Sequence, residues 1–288
     1  MISDSLKKQR TEEILKIIKD LPSIPKVVFE VTRLLNNSKT SANLLSEIIG
    51  KDQGLTSKVL AIANSPLYGL KRKVSSIEFA VLVLGFHEIK NIVAALYFAD
   101  SIEVAPSLYF NLQEYWLHSV LVGTAARGIS QHLGFEFGSE AFVAGLLHDL
   151  GILVIHKFFE PEFIQILKKA GNENVPILEA EAQVLGLTHQ DIGRYLFEKW
   201  DLPLILCDSI YYHHNPSKAA ENKYFVSIIH IVDYMTQRLR VGQFNWDNNM
   251  VLDYKILDLL NFHSEEALDT FISDFDEMFK VTADSLKM

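Results

Sequence analysis

Histidines and aspartates cluster in the second half of this 288-residue chain, at spacings that suit metal ligands. Seven of them form the candidate set: His118, the adjacent pair His148 and Asp149, His189, the adjacent pair His213 and His214, and Asp233. Glu114 adds a carboxylate four residues before His118, so both side chains project from one helical face. Imidazoles and carboxylates without thiolates favour one or two divalent transition-metal ions (Fe, Mn, Co, Ni or Zn) at an open site over a closed structural zinc.

The adjacent pairs are the most informative part of this set. Consecutive helical residues lie about 100° apart around the axis, so an ion above the wedge between His148 and Asp149 can contact both. The pair interrupts the apolar run of residues 141–159, where an ionised Asp is costly unless it is paired or coordinates a metal. Two interpretations remain open: a metal site, or a structural network of buried polar groups.

The elements that must position these residues are predicted to be helices. Apolar residues recur at helical spacing in most segments, for example Ile14, Ile17 and Ile18, and again Val27, Val31 and Leu34. The 8 prolines fall between the periodic segments. The sequence therefore predicts an all-α chain, in which residues 141–159 form one buried helix and residues 204–212 form a helix that His213 follows.

Composition limits the classes of partner and compartment. Lys and Arg total 27 against 36 Asp and Glu, a formal charge of −9, which argues against direct nucleic-acid binding and against an anionic membrane surface. The single cysteine, Cys207, excludes an internal disulfide. A lone Asp at a bilayer centre costs roughly 2.5–3.5 kcal/mol, so we expect no membrane insertion. The N-terminus lacks a signal-peptide pattern, and we expect a cytoplasmic protein.

Two polar or proline-containing stretches, near residues 101–107 and 241–250, are candidate boundaries. They predict an N-terminal helical subdomain over residues 1–105 and a helical bundle with the candidate metal site over residues 106–240. Residues 241–288 are expected to form helices that pack on the same body.

Several further motifs extend over both halves of the chain. They are LPSIPKVVFEVTRLL (residues 21–35), IIGKDQGLTSKVLAIANSPLYGL (48–70), VSSIEFAVLVLGFHEIKNIV (74–93), YWLHS (115–119), GLLHDLGILVI (145–155), LGLTHQDIGRYLFEKWDLP (185–203) and IYYHHNP (210–216). Together they closely resemble the HDOD family, the HD-related output domain of bacterial signalling. The resemblance implies an N-terminal helical subdomain packed against a multi-helix HD-like bundle.

The resemblance also sorts the candidate ligands. His118 matches the first histidine of the HD superfamily, His148 and Asp149 match its namesake pair, and Asp233 matches its closing aspartate. The three remaining histidines (His189, His213 and His214) match additional ligands of the related HD-GYP phosphodiesterases, which hydrolyse cyclic di-GMP. Glu114 falls where some trinuclear members of that branch place a carboxylate.

The chain departs from the HD-GYP enzymes in two respects. Ile152 stands where those enzymes carry a lysine, so a cation that could stabilise charge on a phosphate is missing. The Gly-Tyr-Pro loop is also absent, because His214 is followed by Asn215, Pro216 and Ser217. HDOD domains are generally regarded as non-enzymatic relatives.

These observations predict a non-catalytic signalling or scaffold protein that binds a protein partner and carries a metal in the HD-like pocket. The turn containing Asn64, Ser65 and Tyr68 is a candidate partner surface, although the same residues suit a simple stop at a helix end. One alternative is a metal-dependent phosphohydrolase acting on a cyclic dinucleotide or a nucleotide phosphoester. The other is a domain that senses a nucleotide without hydrolysing it.

Overall fold

The structure is a computed structural model, and it describes most of the chain from residue 41 onward. The described residues are Gln9, Glu13, Ile14, Lys16 and Ile17, followed by residues 41–286 apart from Lys71, Ser101, Glu103, Pro106, Asn174, 243–245 and 247–249. The motif at residues 21–35 and the helix predicted there lie outside the described residues.

The described part of the chain is all-α, which confirms the predicted fold class. It contains fourteen α-helices and no β-strand. They are α1 (Ala42–Ile49), α2 (Gln53–Ala63), α3 (Ile77–Leu84), α4 (Phe86–Asp100), α5 (Leu112–His132), α6 (Gly138–Leu147), α7 (Leu150–Phe158), α8 (Glu160–Asn172), α9 (Ile177–Val184), α10 (His189–Lys199), α11 (Leu204–Tyr212), α12 (Lys223–Leu239), α13 (Glu265–Asp274) and α14 (Asp276–Leu286).

Helices α1–α4 pack on one another and join the remaining helices through a buried carboxylate on α4. Glu88 accepts hydrogen bonds from the Tyr68 hydroxyl at 2.8 Å and the Ser139 hydroxyl at 2.6 Å. The Arg127 guanidinium on α5 lies 3.0 Å from the same carboxylate and stacks over the Tyr68 ring. This ion pair is largely shielded from water, so it fixes the N-terminal helices against α5 and α6.

The turn predicted as a partner surface is held by contacts within the chain. The Asn64 side chain pairs with the Val74 backbone in both directions, at 2.7 and 2.8 Å. Ser65 is buried, and the Tyr68 hydroxyl points to Glu88. The Asn64 and Tyr68 side chains therefore stabilise the turn, and a partner contact at this place stays a prediction.

The run of residues 141–159 forms two helices, so the prediction of one continuous helix is wrong. Helix α6 ends at Leu147, α7 begins at Leu150, and His148 and Asp149 form the break between them. Asp149 has φ −99° and ψ 14°, which departs from helical geometry. In a straight helix the two side chains would diverge by about 100°, whereas the break lets both face one point.

The same stretch explains the membrane-like composition. Residues 138–158 are, among the described residues, the one stretch long and apolar enough to cross a membrane, and 83% of its most apolar window is buried inside the protein. Its side chains form part of the core between α5, α10 and α12.

Glycines allow the helices around this break to approach one another closely. A Cβ at Gly145 on α6 would lie 2.8 Å from the Cα of Gly123 on α5. A Cβ at Gly151 on α7 would overlap the backbone carbonyl oxygen of His189 at the start of α10. These two contacts place the ends of α6 and α10 beside the break.

The segment after α12 packs against the other two parts of the chain. Helix α14 contacts α5 in the bundle, and it also contacts α2 and the turn at Pro66–Tyr68 in the N-terminal subdomain. The division into residues 1–105, 106–240 and 241–288 stays a prediction, with the third segment lying against both of the others.

We expect Gly151→Ala to lower the free energy of unfolding by about 1–3 kcal/mol, because the added methyl group meets backbone that cannot rotate away. Gly171→Ala is the matched control: an added Cβ there meets nothing within 4 Å, so a gain of up to about 1 kcal/mol is expected from helix propensity. Urea denaturation measures both values. Equal stability of the two variants would contradict close packing at Gly151.

Candidate metal centre

All seven candidate ligands converge in the interior of the bundle, in two groups. His118, His148 and Asp233 form the first group, and Asp149, His189, His213 and His214 form the second. Within each group the potential ligand atoms lie within 4.8 Å of one another. Six of the seven residues are buried, and His214 is partly exposed.

Asp149 joins the two groups through its two carboxylate oxygens. Its Oδ2 lies 3.2 Å from Nε2 of His148 and 3.8 Å from Nε2 of His118. Its Oδ1 lies 3.5 Å from Nε2 of His189 and 3.6 Å from Nε2 of His213. Each oxygen therefore faces its own pair of histidines, which is the position of a bridging ligand between two ions.

Helix ends place most of these side chains. His189 is the first residue of α10, where the Thr188 hydroxyl and the Asp191 carboxylate form a capping box. His213 and His214 follow the last residue of α11, whose bounds match the helix predicted over residues 204–212. His118 and Asp233 lie within α5 and α12, and their side chains meet at 3.3 Å.

The backbone and one carboxylate orient four of the imidazoles. Each Nδ1 lies at hydrogen-bond distance from an acceptor: His118 from the Gly242 carbonyl at 2.9 Å, His148 from Gly145 at 2.7 Å, His213 from Ile210 at 2.7 Å and His189 from the Glu181 carboxylate at 2.8 Å. Because these oxygens can only accept, each Nδ1 carries the proton. The Nε2 of the neutral ring then presents a lone pair to the centre of the site.

The spacing of the Nε2 atoms fits a bound cation. His118 and His148 approach to 3.3 Å through Nε2, and His189 lies 3.3 Å from His213 and 3.2 Å from His214. Two lone pairs facing each other at this distance repel unless a metal ion or a proton lies between them. Two nitrogens that are each about 2.0–2.1 Å from one ion lie roughly 3.0–3.4 Å apart.

The charges at the site also suit a metal ion. Burial raises the pKa of Asp149, but the surrounding histidines, with His148 foremost, outweigh it and hold that pKa well below its usual value. Burial likewise opposes ionisation of Asp233, and its contact with His118 and the charge of His148 lower its pKa. Two carboxylates therefore stay ionised in the interior, where they need a positive partner.

His148 differs in charge from His213 and His214. Burial, with neighbouring histidines, lowers the pKa of His213 and that of His214, so both are neutral ligands at pH 7. Burial also disfavours the charged form of His148, but Asp149 and Asp233 prevail and raise its pKa to about 9. Without a metal, a proton on His148 therefore supplies part of the positive charge.

Comparison with known proteins places this chain in a family. The family model of the HDOD domain matches residues 21–216, more than half of the chain. The chain belongs to the HDOD family. Its structure superposes with a TM-score of 0.75 on an HDOD domain protein of unknown function from Geobacter sulfurreducens, at 25% identity, covering 99% of this chain and 98% of that one.

Two further relatives are more distant. A proposed metal-dependent phosphohydrolase from Shewanella amazonensis has a TM-score of 0.67 and 21% identity, covering 98% of this HDOD chain and 99% of its own, so the likeness concerns the fold. An uncharacterized protein from Treponema pallidum (strain Nichols) is 24% identical over 265 residues, which is 91% of this chain and 50% of the relative. The chain thus spans about half the length of that curated relative.

Glu114 lies apart from the two groups of this HDOD domain. It is exposed in the first turn of α5, where it lines a cavity of about 490 Å³ together with Lys58 and Trp116. Spacing by four residues does place Glu114 and His118 on one side of the helix, but His118 lies a full turn deeper in the bundle. The structure therefore brings seven of the eight predicted candidates together.

Three residues outside the predicted set hold the ligands in place. Glu181 is fully buried and accepts hydrogen bonds from the backbone N–H of His189 at 2.8 Å and from the Trp246 indole at 3.0 Å. His230 contacts the carbonyl oxygen of His213 through Nδ1 at 2.6 Å. The sequence could have indicated His230, because it lies three residues before Asp233 on α12. No local sequence pattern marks Glu181 or Trp246.

We expect Asp149→Asn to reduce metal affinity by more than the roughly 10–100-fold that changes outside the ligand shell cost, because it removes a charge shared by both groups. Asp208→Asn is the matched control, since Asp208 is a buried aspartate outside the groups that pairs with Asn222. Elemental analysis of protein purified without chelator measures the metal content. Equal metal content in the two variants would show that Asp149 is no ligand.

Metal binding is expected to release about one proton from His148 at neutral pH, since its pKa in the metal-free protein is about 9. Because His148 is protonated below a pH of about 9, protons compete with the metal for its Nε2. Metal affinity should therefore fall as the pH is lowered below that value. Calorimetry in buffers of different ionisation enthalpy measures the released protons. The release should decrease by about one proton when the titration is repeated near pH 10, and identical release at both pH values would contradict this assignment.

Proposed function

We propose that this HDOD domain is a cytoplasmic, non-catalytic signalling module that carries one or two divalent transition-metal ions in its HD-like centre and acts by binding a protein partner. The observation that carries the metal assignment is the position of Asp149, whose two oxygens face two separate sets of oriented histidines. His118, His148, Asp149 and Asp233 would hold one ion. Asp149, with His189, His213 and His214, would hold the other.

The charge distribution supports a role without turnover. Among the described residues, the charges that act most strongly on Asp149 belong to histidines, and those that act most strongly on Asp233 belong to histidines and to Asp149. Ile152, at the position where the related phosphodiesterases carry lysine, is fully buried among apolar residues. Phosphoester hydrolysis is aided by positive groups aimed at the charge that develops on the phosphate, and beyond the proposed ions no lysine or arginine is among the strongest charges that act on Asp149 or Asp233 in the described part of the chain.

A bound ion would act on the stability of the bundle. When present, it supplies positive charge that neutralises the two buried carboxylates and joins the ends of helices distant in sequence. Ligand binding to the folded state alone raises stability by about 2.7 kcal/mol when the ligand is at 100 times its dissociation constant. The metal would thereby fix the surface that a partner contacts.

A metal-dependent phosphohydrolase is the second candidate, favoured by one observation. Two ligand groups that share one carboxylate are the arrangement used by two-metal enzymes that cleave phosphoesters. His214 is partly exposed, so the second group lies nearest to solvent. The substrate would be a cyclic dinucleotide or another nucleotide phosphoester, and a nucleotide sensor would bind the same compounds intact.

Incubation of the full chain with Mn²⁺ or Fe²⁺ and with cyclic di-GMP or bis-(p-nitrophenyl) phosphate separates these functions. We expect no turnover above that of Asp149→Asn, together with a metal-dependent rise in Tm of wild type that this variant lacks. Turnover that disappears in Asp149→Asn would overturn the non-catalytic proposal in favour of the hydrolase. Calorimetric binding of an intact nucleotide would instead favour the sensor.

Wild type and Asp149→Asn, used as baits, test whether partner binding depends on the metal. Chemical crosslinking followed by mass spectrometry should identify a signalling protein that joins metal-loaded wild type and is depleted by at least about tenfold with Asp149→Asn, because the surface depends on the loaded bundle. Asp208→Asn should capture it as well as wild type does. Equal capture by metal-loaded wild type and by Asp149→Asn would contradict a metal-dependent partner surface.

A further inference from the structure

Three ligand histidines are held through one stretch of chain, residues 241–253, which follows α12. Near its start, the Gly242 carbonyl oxygen accepts from Nδ1 of His118 at 2.9 Å. At its end, the Asp253 backbone N–H donates to Nε2 of His230 at 2.9 Å, and His230 in turn contacts the carbonyl of His213. The stretch therefore reaches both ligand groups, and its described residues supply no ligand to either group.

The middle contact of this stretch is made by Trp246. Its indole Nε1–H donates to Oε1 of Glu181 at 3.0 Å, and the same oxygen lies 2.8 Å from Nδ1 of His189. Trp246 is 3% exposed, and its ring stacks on Phe163 with centroids 4.4 Å apart and an angle of 27° between the planes. Because the Trp246 ring is buried and stacked on Phe163, its indole N–H is held in one position relative to the Glu181 carboxylate.

We propose that Trp246 is a positioning residue of the metal centre that acts through Glu181 on His189, so that metal binding and the Trp246–Glu181 hydrogen bond are coupled. This inference rests on the proposed metal-binding function and extends the centre to a segment beyond its ligands.

The coupling follows from two donors that share one acceptor oxygen. A carboxylate that accepts from Nδ1 fixes the tautomer of a ligand histidine and makes its Nε2 more basic. When Nε2 of His189 binds a cation, its Nδ1–H becomes a stronger donor to Oε1 of Glu181. The lone-pair density that remains for the Trp246 N–H is then reduced, which changes the environment of the indole.

Glu181 depends on these donors because it is fully buried. Its Oε2 accepts from the His189 backbone N–H at 2.8 Å, and its Oε1 accepts from both His189 and Trp246. Loss of a donor to a buried carboxylate is costly, because the remaining charge is incompletely solvated. Removal of the indole N–H should therefore disturb Glu181 and, through it, the orientation of His189.

The chain offers a direct readout, since it contains three tryptophans. The variant Trp116→Phe/Trp200→Phe retains Trp246 alone. On titration with Zn²⁺, a closed-shell ion that does not quench by paramagnetism, its emission should change and saturate at the midpoint that calorimetry gives for Zn²⁺ binding. The matched variant Trp200→Phe/Trp246→Phe retains Trp116, and its emission should stay constant even at Zn²⁺ concentrations at which calorimetry shows that this variant, too, is saturated.

Trp246→Phe keeps an aromatic ring that can stack on Phe163, but the smaller ring lacks the indole N–H. We expect Zn²⁺ affinity to fall by about 10-fold, the lower range for groups that orient metal ligands, and the Tm of the metal-free protein to fall as well, because Glu181 loses a buried donor. Trp200→Phe is the control, because Trp200 is equally buried and packs on Phe98, on α4. Its Zn²⁺ affinity should equal that of wild type.

The outcomes separate this inference from the function on which it rests. If wild type binds no Zn²⁺, the metal function and the role of Trp246 both fail. If wild type binds Zn²⁺ while Trp246→Phe binds it equally well and the emission of Trp246 stays constant, only the role of Trp246 fails. Should Trp246→Phe not fold, the titration of Trp116→Phe/Trp200→Phe, which keeps the natural Trp246, decides the question.

Discussion

A single buried carboxylate, that of Asp149, sets the conditions for the surrounding structure. Four imidazole nitrogens lie between 3.2 and 3.8 Å from its two oxygens. A charge in that position is tolerated only where positive partners surround it. The break between α6 and α7 and the close approach at Gly151 follow from the need to bring those partners, from four helices, to one carboxylate.

The centre balances charge by protons when it lacks a cation. Carbonyl oxygens hold the Nδ1–H groups of His118, His148 and His213, so the Nε2 lone pairs of these rings converge. Their mutual repulsion and the two ionised aspartates both favour a positive charge in the middle. The raised pKa of His148, about 9, and the proposed metal binding are therefore two responses to the same electrostatic demand.

The location of the centre connects it to the N-terminal helices. Ser139, in the first turn of α6, donates to Glu88 on α4, and His148 directly follows the last residue of that helix. One short helix thus lies between the ion pair that fixes the N-terminal subdomain and the proposed ligands. A change in metal state has a rigid element through which it can reach that subdomain, and α14 lies against both parts. This connection supports the proposed signalling role.

Periodicity and local spacing were enough to predict the helical fold class, the seven candidate ligands and the helix over residues 204–212, because they indicate which residues share a helix face or a helix end. Tertiary contacts were needed to show that α6 and α7 separate at His148 and Asp149, that Glu114 lies outside the site and that Glu181, His230 and Trp246 support the candidate ligands. Those contacts join residues far apart in the chain: 124 positions separate His118 from Gly242, and 65 separate Glu181 from Trp246. Local sequence patterns do not indicate such pairs, because the contacts form only when segments that are far apart in the chain pack together.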